Sequence, residues 1–211
     1  MKLGICLVGI SHLIHDQRWP ISRSYLDCKE NFTEEILKPL AKFDTKIYLT
    51  SYLSPETGNI IDFYKPEACQ FLNIKSSHQI KTFIKSIEQV EAEDLDYVLF
   101  TRFDIYFNKG KLKTLNYNLN NVNFLCREKD HWDNMNFVND CFYFLPTKHL
   151  LQFKKACVAL LSNPPRPGLM DMHGLYKILT NYLSTDNISF MTEEHHLSSK
   201  NSIYELKRRT R

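Results

Sequence analysis

The sequence predicts a single α/β domain, with a mostly parallel central sheet and helices on both of its faces. Three observations carry that expectation. The apolar run at residues 3–10 is continuous rather than alternating, as in a strand covered on both sides, and 46–52 and 97–103 read as further strands. Between them lie stretches with helical spacing: Ile80, Phe83, Ile84, Ile87 and Val90 share one face, as do Tyr25, Cys28, Phe32, Ile36 and Leu40. The 211 residues suit one large domain better than two, and a chain of that length buries a core without disulfide or metal staples.

The elements follow in order. Residues 3–10 form the first strand, and a polar loop broken by Pro20 covers 11–22. A helix spans 24–40, with Pro39 near its end, and a second strand spans 46–52. Ser54-Pro55-Glu56-Thr57-Gly58 reads as a turn and 68–74 as a short strand. Ser76 or Ser77 caps the helix that carries Ile80 to Val90. The central strand starts at Tyr97, and its extended reading runs on to Phe107. Strands at 122–126 and 141–145, a helix at 148–161, a rigid Pro-rich loop at 163–168, a helix at 169–183 and a strand at 188–191 complete the chain. Residues 1–206 make the domain. Residues 207–211, with Lys207, Arg208, Arg209 and Arg211, read as a solvated basic tail or the start of a linker.

Composition excludes several classes of function. A net charge of +3 is too small to argue for nucleic acid, and the excess sits at the C-terminal end. The six cysteines (Cys6, Cys28, Cys69, Cys126, Cys141 and Cys157) are scattered, without a C-x-x-C pair, which argues against a zinc ribbon or a thioredoxin-type site. They read as reduced thiols, hence an intracellular, cytoplasmic protein. The apolar run at the N-terminus is short and lacks a cleavage site, so it reads as a strand rather than a signal peptide. No apolar stretch approaches bilayer length. Asn31-Phe32-Thr33 matches a glycosylation sequon, which carries no weight without secretion.

In sheets of this kind ligands bind at the carboxyl ends of the strands. Three segments leave such ends: Gly9-Ile10-Ser11-His12, Thr50-Ser51-Tyr52 and Thr101-Arg102-Phe103-Asp104. The third is the most informative. Arg102 and Asp104 share a face if the extended conformation continues. A carboxylate suits Mg²⁺ or Mn²⁺, and the planar fork of arginine suits phosphate oxygens. The plain alternative is a surface ion pair. Asp94-Leu95-Asp96 spells D-x-D literally but precedes the strand, at the wrong end of the sheet.

The run Asp-Tyr-Val-Leu-Phe-Thr-Arg-Phe-Asp-Ile-Tyr-Phe, from Asp96 to Phe107, resembles the strand and D-x-D motif of GT-A fold glycosyltransferases in a variant R-x-D form. The segment from Asn136 to Phe144 is similar to the acid-plus-aromatic strand beside the donor sugar in that family. The size and motif context look most like transferases of large algal DNA viruses, the chlorovirus type, where such a domain can head a longer polypeptide. The resemblance implies a single GT-A-like (Rossmann-like) domain that moves a hexose or deoxyhexose from a UDP-sugar donor to a carbohydrate acceptor. It implies a metal, Mn²⁺ or Mg²⁺, at Asp104, with Arg102 and Phe103 beside the nucleotide. Val8, Gly9, Ile10 and Ser11 would line the nucleoside, Arg18 would reach a phosphate, Ser51 would touch ribose or base, and Gln79 would read the uracil edge. The plain alternatives are that Gly9 relieves packing and that Arg18 and Gln79 are solvated.

Catalysis on the acceptor side falls to Asp140 or Asp133 as general base. Asp140 lies among Phe137, Val138, Cys141 and Phe142, where desolvation raises a carboxylate pKa. Asp171 reads as an early-turn helix residue. His195-His196, or His173 as a rival, would complete a metal shell; surface positions are the plain alternative. Two rival functions remain from the sequence: a sugar-nucleotide nucleotidyltransferase, and a non-catalytic α/β interaction module.

Overall fold

The computed structural model describes residues 1–13, 21–164, 171–193, 202–207 and 209–210. Its centre is a seven-stranded sheet. The strands, in chain order, are β1 (Lys2–Val8), β2 (Asp44–Tyr52), β3 (Ala68–Leu72), β4 (Tyr97–Arg102), β5 (Val122–Phe124), β6 (Phe142–Pro146) and β7 (Ile188–Phe190). Their order across the sheet is β7-β5-β6-β4-β1-β2-β3. All neighbours are parallel except β6, which runs antiparallel to both β4 and β5. The expected α/β class is therefore observed, with one reversed strand.

The continuous apolar run of β1 has the predicted cause. Alternate residues of β1 and β4 feed two separate cores, one on each face of the sheet. Leu3, Ile5, Leu7 and Leu99 enter one; Cys6, Val8, Val98 and Phe100 enter the other. The first core is covered by residues 25–37, which place Tyr25, Phe32 and Ile36 against it. This stretch was expected as one helix over 24–40. It winds instead as a 3-10 turn (Tyr25–Asp27), an α turn (Lys29–Asn31) and a π-helical segment (Phe32–Leu37). The change of pitch accompanies a tertiary contact. The Asn31 amide donates to the Phe107 carbonyl at 2.8 Å and accepts from the Phe107 N–H at 2.7 Å, as a paired strand would. The sequon asparagine is thus a buried structural group.

Helices α1 (Thr57–Tyr64), α2 (Gln79–Val90), α3 (Lys129–Met135), α4 (Leu150–Ser162) and α5 (Leu175–Leu179) complete the layers. The face predicted for α2 is the buried one, through Ile80, Phe83, Ile87 and Val90, but its N-cap is His78 rather than a serine. Neither α1 nor α3 was expected, since each is too short to show a full apolar stripe. The last expected helix, 169–183, is reduced to α5 among the described residues. Asp94-Leu95-Asp96 lies at the amino edge of the sheet, where Asp96 accepts from the Lys2 N–H at 2.7 Å and Asp94 pairs with the Lys2 ammonium.

Two departures concern the ends of the motifs. The strand does not run unbroken to Phe107: it turns at Phe103 and Asp104, and Ile105–Phe107 then pairs antiparallel with Tyr204–Leu206. Part of the basic end makes backbone contacts with the fold. The Lys207 N–H donates to the Asp104 carbonyl at 2.8 Å, and Arg209–Thr210 pairs with Ile21 and Ser22.

Phe153 on α4 is fully buried, stacked on Phe100 with ring centroids 5.6 Å apart and set edge-on to Tyr143. Phe153→Ala is expected to cost about 3–5 kcal/mol, read as a lower urea midpoint at unchanged slope.

Candidate functional site

The carboxyl edge of the sheet gathers polar and charged side chains from five different elements. Parallel strands end there, so Arg102 arrives from β4 and Glu128 from the turn after β5. The reversed strand β6 begins there, so the residues just before it, Asn139 and Asp140, reach the same edge. Helix α2 follows the parallel strand β3, so its first residue, Gln79, faces that edge too. His173 comes from the segment before α5.

Arg102 is the hub. Its Nε donates to Asp104 Oδ1 at 2.8 Å and its Nη2 to Asp104 Oδ2 at 3.0 Å, a bidentate pair. Its Nη1 donates to Asp140 Oδ2 at 3.2 Å. The side chains of Arg102, Asp104 and Asp140 are 11%, 3% and 9% exposed, so this is a buried ion network rather than a surface pair. Burial opposes the Arg102 charge, but Asp104 and Asp140 overcome it and push the pKa well above the ordinary value.

Asp140 collects further donors. Gln79 Nε2 donates to its Oδ2 at 2.6 Å, the Cys141 thiol donates to its Oδ1 at 3.3 Å, and His173 Nε2 lies 3.7 Å from Oδ2. Burial raises the pKa of this carboxyl, as its apolar sequence neighbours suggested. His173, Arg102 and the Gln79 amide outweigh burial and hold it well below the usual carboxylate range. The net direction is therefore opposite to the sequence expectation, because the decisive cations come from distant segments. His173 is in turn held between acids: its Nδ1 contacts Glu128 and lies 3.1 Å from the Val138 carbonyl. Burial lowers its pKa, but Asp140 and Glu128 prevail and raise it to about 9. Glu128, only 4% exposed, was missed in the sequence. The rule that selected Asp104 applies to it as well, since Glu128 also follows the carboxyl end of a strand.

The remaining expected residues divide into groups. Gly9 has φ +99°, and a Cβ there would meet nothing within 4 Å, so the glycine serves backbone conformation and does not relieve packing. Ser11 and Ser51 are buried and bonded to one another: Ser51 Oγ lies 2.6 Å from Ser11 Oγ and 2.8 Å from the Gly9 carbonyl, and accepts from the Ser11 N–H at 3.2 Å. They fix the loop after β1 and have little surface for a ribose. The side chain of Val8 is in the core, and the ring of Phe103, 2% exposed, packs edge-on against Tyr64. Neither side chain is exposed, because both point into the apolar layers. Ile10 is half-buried at the edge. Asp133 is exposed on α3, and among the described residues no hydrogen bond or ion pair joins it to the Asp140 network. Arg18, His195 and His196 lie outside the described residues.

As for a metal, Asp104 and Asp140 are hard oxygen donors that already converge on one cation, the guanidinium. Together they would offer a divalent ion two protein carboxylates. Among the described residues no set of three or more acidic, histidine or cysteine side chains could hold a metal alone. The cavity of about 190 Å³ lined by Leu40, Lys42, Leu99, Lys113, Phe142 and Phe144, among others, contains none of these site residues, and no described helix is long and apolar enough to cross a membrane.

The class that fold and site define is an α/β protein with a buried ionic site at the carboxyl edge of its sheet. No protein-family model and no curated protein matches the chain. Among solved structures it is similar to the apo form of glycosyltransferase GlyE from Streptococcus pneumoniae TIGR4, with 13% identity, a TM-score of 0.47, and coverage of 89% of this chain and 44% of that one. A second GlyE structure from the same organism gives 14% identity, a TM-score of 0.45, and coverage of 90% and 44%. The chain thus spans less than half the length of these structures.

Two outcomes follow from the site. His173 holds its proton more tightly folded than unfolded, so its stabilisation is complete below the unfolded pKa near 6.5 and is lost as pH rises through about 9. The melting temperature should fall over that window, and His173→Gln should flatten the fall. Gly9→Ala should cost about 1–2 kcal/mol through backbone strain alone, seen as a lower melting temperature with an unchanged far-UV spectrum.

Proposed function

We propose that this chain is a glycosyltransferase that takes a hexose or deoxyhexose from a nucleoside-diphosphate sugar, preferably a UDP-sugar, and passes it to a carbohydrate acceptor. The observation that carries the reading is the meeting of Arg102, Asp104 and Asp140 at the carboxyl edge of a mostly parallel sheet. That edge is where such sheets hold ligands. The motif resemblance to GT-A enzymes, including those of large algal DNA viruses, belongs to the same proposal.

The roles follow from the geometry. Arg102 uses three of its five N–H groups on Asp104 and Asp140, and the other two are available to phosphate oxygens. Asp104 offers oxygens to Mn²⁺ or Mg²⁺, which would neutralise the diphosphate as it leaves. Asp140, kept ionised by its cationic neighbours, is a weak base. It is suited to hold a sugar hydroxyl and to face the positive charge that develops at the anomeric carbon. Asp133, exposed on α3, remains for the acceptor side. The loop fixed by Gly9, Ser11 and Ser51 offers backbone groups and Ile10 to the nucleoside.

UDP with Mn²⁺ at about 100 times its Kd should raise the melting temperature by roughly 5–10 °C. No shift with any nucleoside diphosphate, with or without Mn²⁺ or Mg²⁺, would sink the reading. Asp140→Asn should lower turnover of the donor by about 10²–10³-fold while the chain stays folded.

A further inference from the structure

The Asp104 carboxylate is the proposed metal ligand, yet both of its oxygens are held by the Arg102 guanidinium, and its side chain is 3% exposed. The same guanidinium holds Asp140, the other carboxylate within reach. The position that a divalent cation would take between two acids is therefore filled by a cation that belongs to the chain. Counted as formal charges among the described residues, two cations, Arg102 and His173, stand among three carboxylates, Asp104, Asp140 and Glu128.

We propose that Arg102 is an internal counter-ion that keeps a divalent metal off Asp104 and Asp140 until a diphosphate arrives, so that metal and nucleotide load only as a pair. This rests on the nucleoside-diphosphate reading above.

The argument is an exchange of partners. A metal arriving alone would be repelled by the guanidinium, or would displace it and leave it buried without its carboxylate. An unpaired buried charge is costly. A diphosphate arriving alone would face Asp104 and Asp140 at close range and find a guanidinium already neutralised by them. When both arrive, Asp104 exchanges guanidinium for metal, and the guanidinium exchanges carboxylate for phosphate oxygens. Each charge then keeps an opposite partner. The arginine in place of the first acid of a D-x-D motif thus gives the two carboxylates, Asp104 and Asp140, an internal counter-ion. Arg102 is anchored through β4, where it pairs with Val8 of β1, so the exchange needs only side-chain movement.

Two reciprocal substitutions and a charge-preserving control test this in the 211-residue chain. Mn²⁺ binding is followed by electron paramagnetic resonance and UDP binding by calorimetry, each with and without the other ligand. In the wild-type chain, each ligand should tighten the other by about tenfold or more. Arg102→Gln removes the internal cation, so Mn²⁺ alone should bind about tenfold tighter than to wild type, and UDP should add little. Arg102→Lys keeps a charge there and should leave Mn²⁺ alone as weak as in wild type. Asp104→Asn releases the guanidinium, so UDP alone should bind about tenfold tighter, with no response to Mn²⁺. Should one variant fail to fold by its melting curve, the other decides.

Wild-type binding of Mn²⁺ alone as tightly as with UDP would overturn the proposal. So would an Arg102→Gln chain that gains no metal affinity, or a folded Asp104→Asn chain that gains no UDP affinity. If nucleoside diphosphates stabilise the wild-type chain but ignore Mn²⁺, this proposal falls and the donor reading stands. If none binds under any condition, both fall.

Discussion

The bidentate pair between Arg102 and Asp104 is the contact on which the rest of the site turns. A guanidinium buried to this degree cannot remain without carboxylates, so it draws Asp104 from the turn after β4 and Asp140 from the loop before β6. Asp140, once fixed, draws Gln79 and His173, and His173 draws Glu128. Each group is a liability alone and is tolerated because the next one satisfies it. The result is a dense polar knot between two apolar layers.

Strand direction makes that knot possible. A purely parallel sheet would bring only strand ends and helix starts to its carboxyl edge. Reversing β6 brings a strand start to the same edge, and Asp140 with it. The C-terminal segment then ties both halves together. Tyr204 is buried in the strand paired with Ile105–Phe107, and its hydroxyl accepts from Asn139 Nδ2 at 2.6 Å. Asn139 in turn accepts from the Cys141 N–H at 3.0 Å, which shapes the loop that presents Asp140. Lys207 holds the Asp104 turn from the other side. Lys207, which read as the first residue of a tail or linker, is a brace for the site.

Much of the scaffold was legible because its signals are local. The apolar runs of β1, β2 and β4 and the 3.6-residue stripe of α2 are printed in consecutive residues, and both were placed correctly. The switch-point rule then directed attention to Arg102 and Asp104 and away from Asp94 and Asp96. Short helices such as α1 and α3 escaped because eight or fewer residues hold too little of a stripe. The pitch changes in residues 25–37 escaped because they accompany a contact with Phe107, which is remote in sequence.

The sequence by itself determined the layers, the central strand and the presence of an arginine and an acid at its end. Those follow from backbone periodicity and burial, which need no knowledge of distant partners. Only the tertiary structure decided that Asp140 is held ionised rather than raised as a base, that Phe103 and Val8 belong to the core, and that Glu128 and His173 join the site. Those outcomes depend on which charges meet across the sheet edge, and a charge interaction depends on distance in space, whatever the separation along the chain.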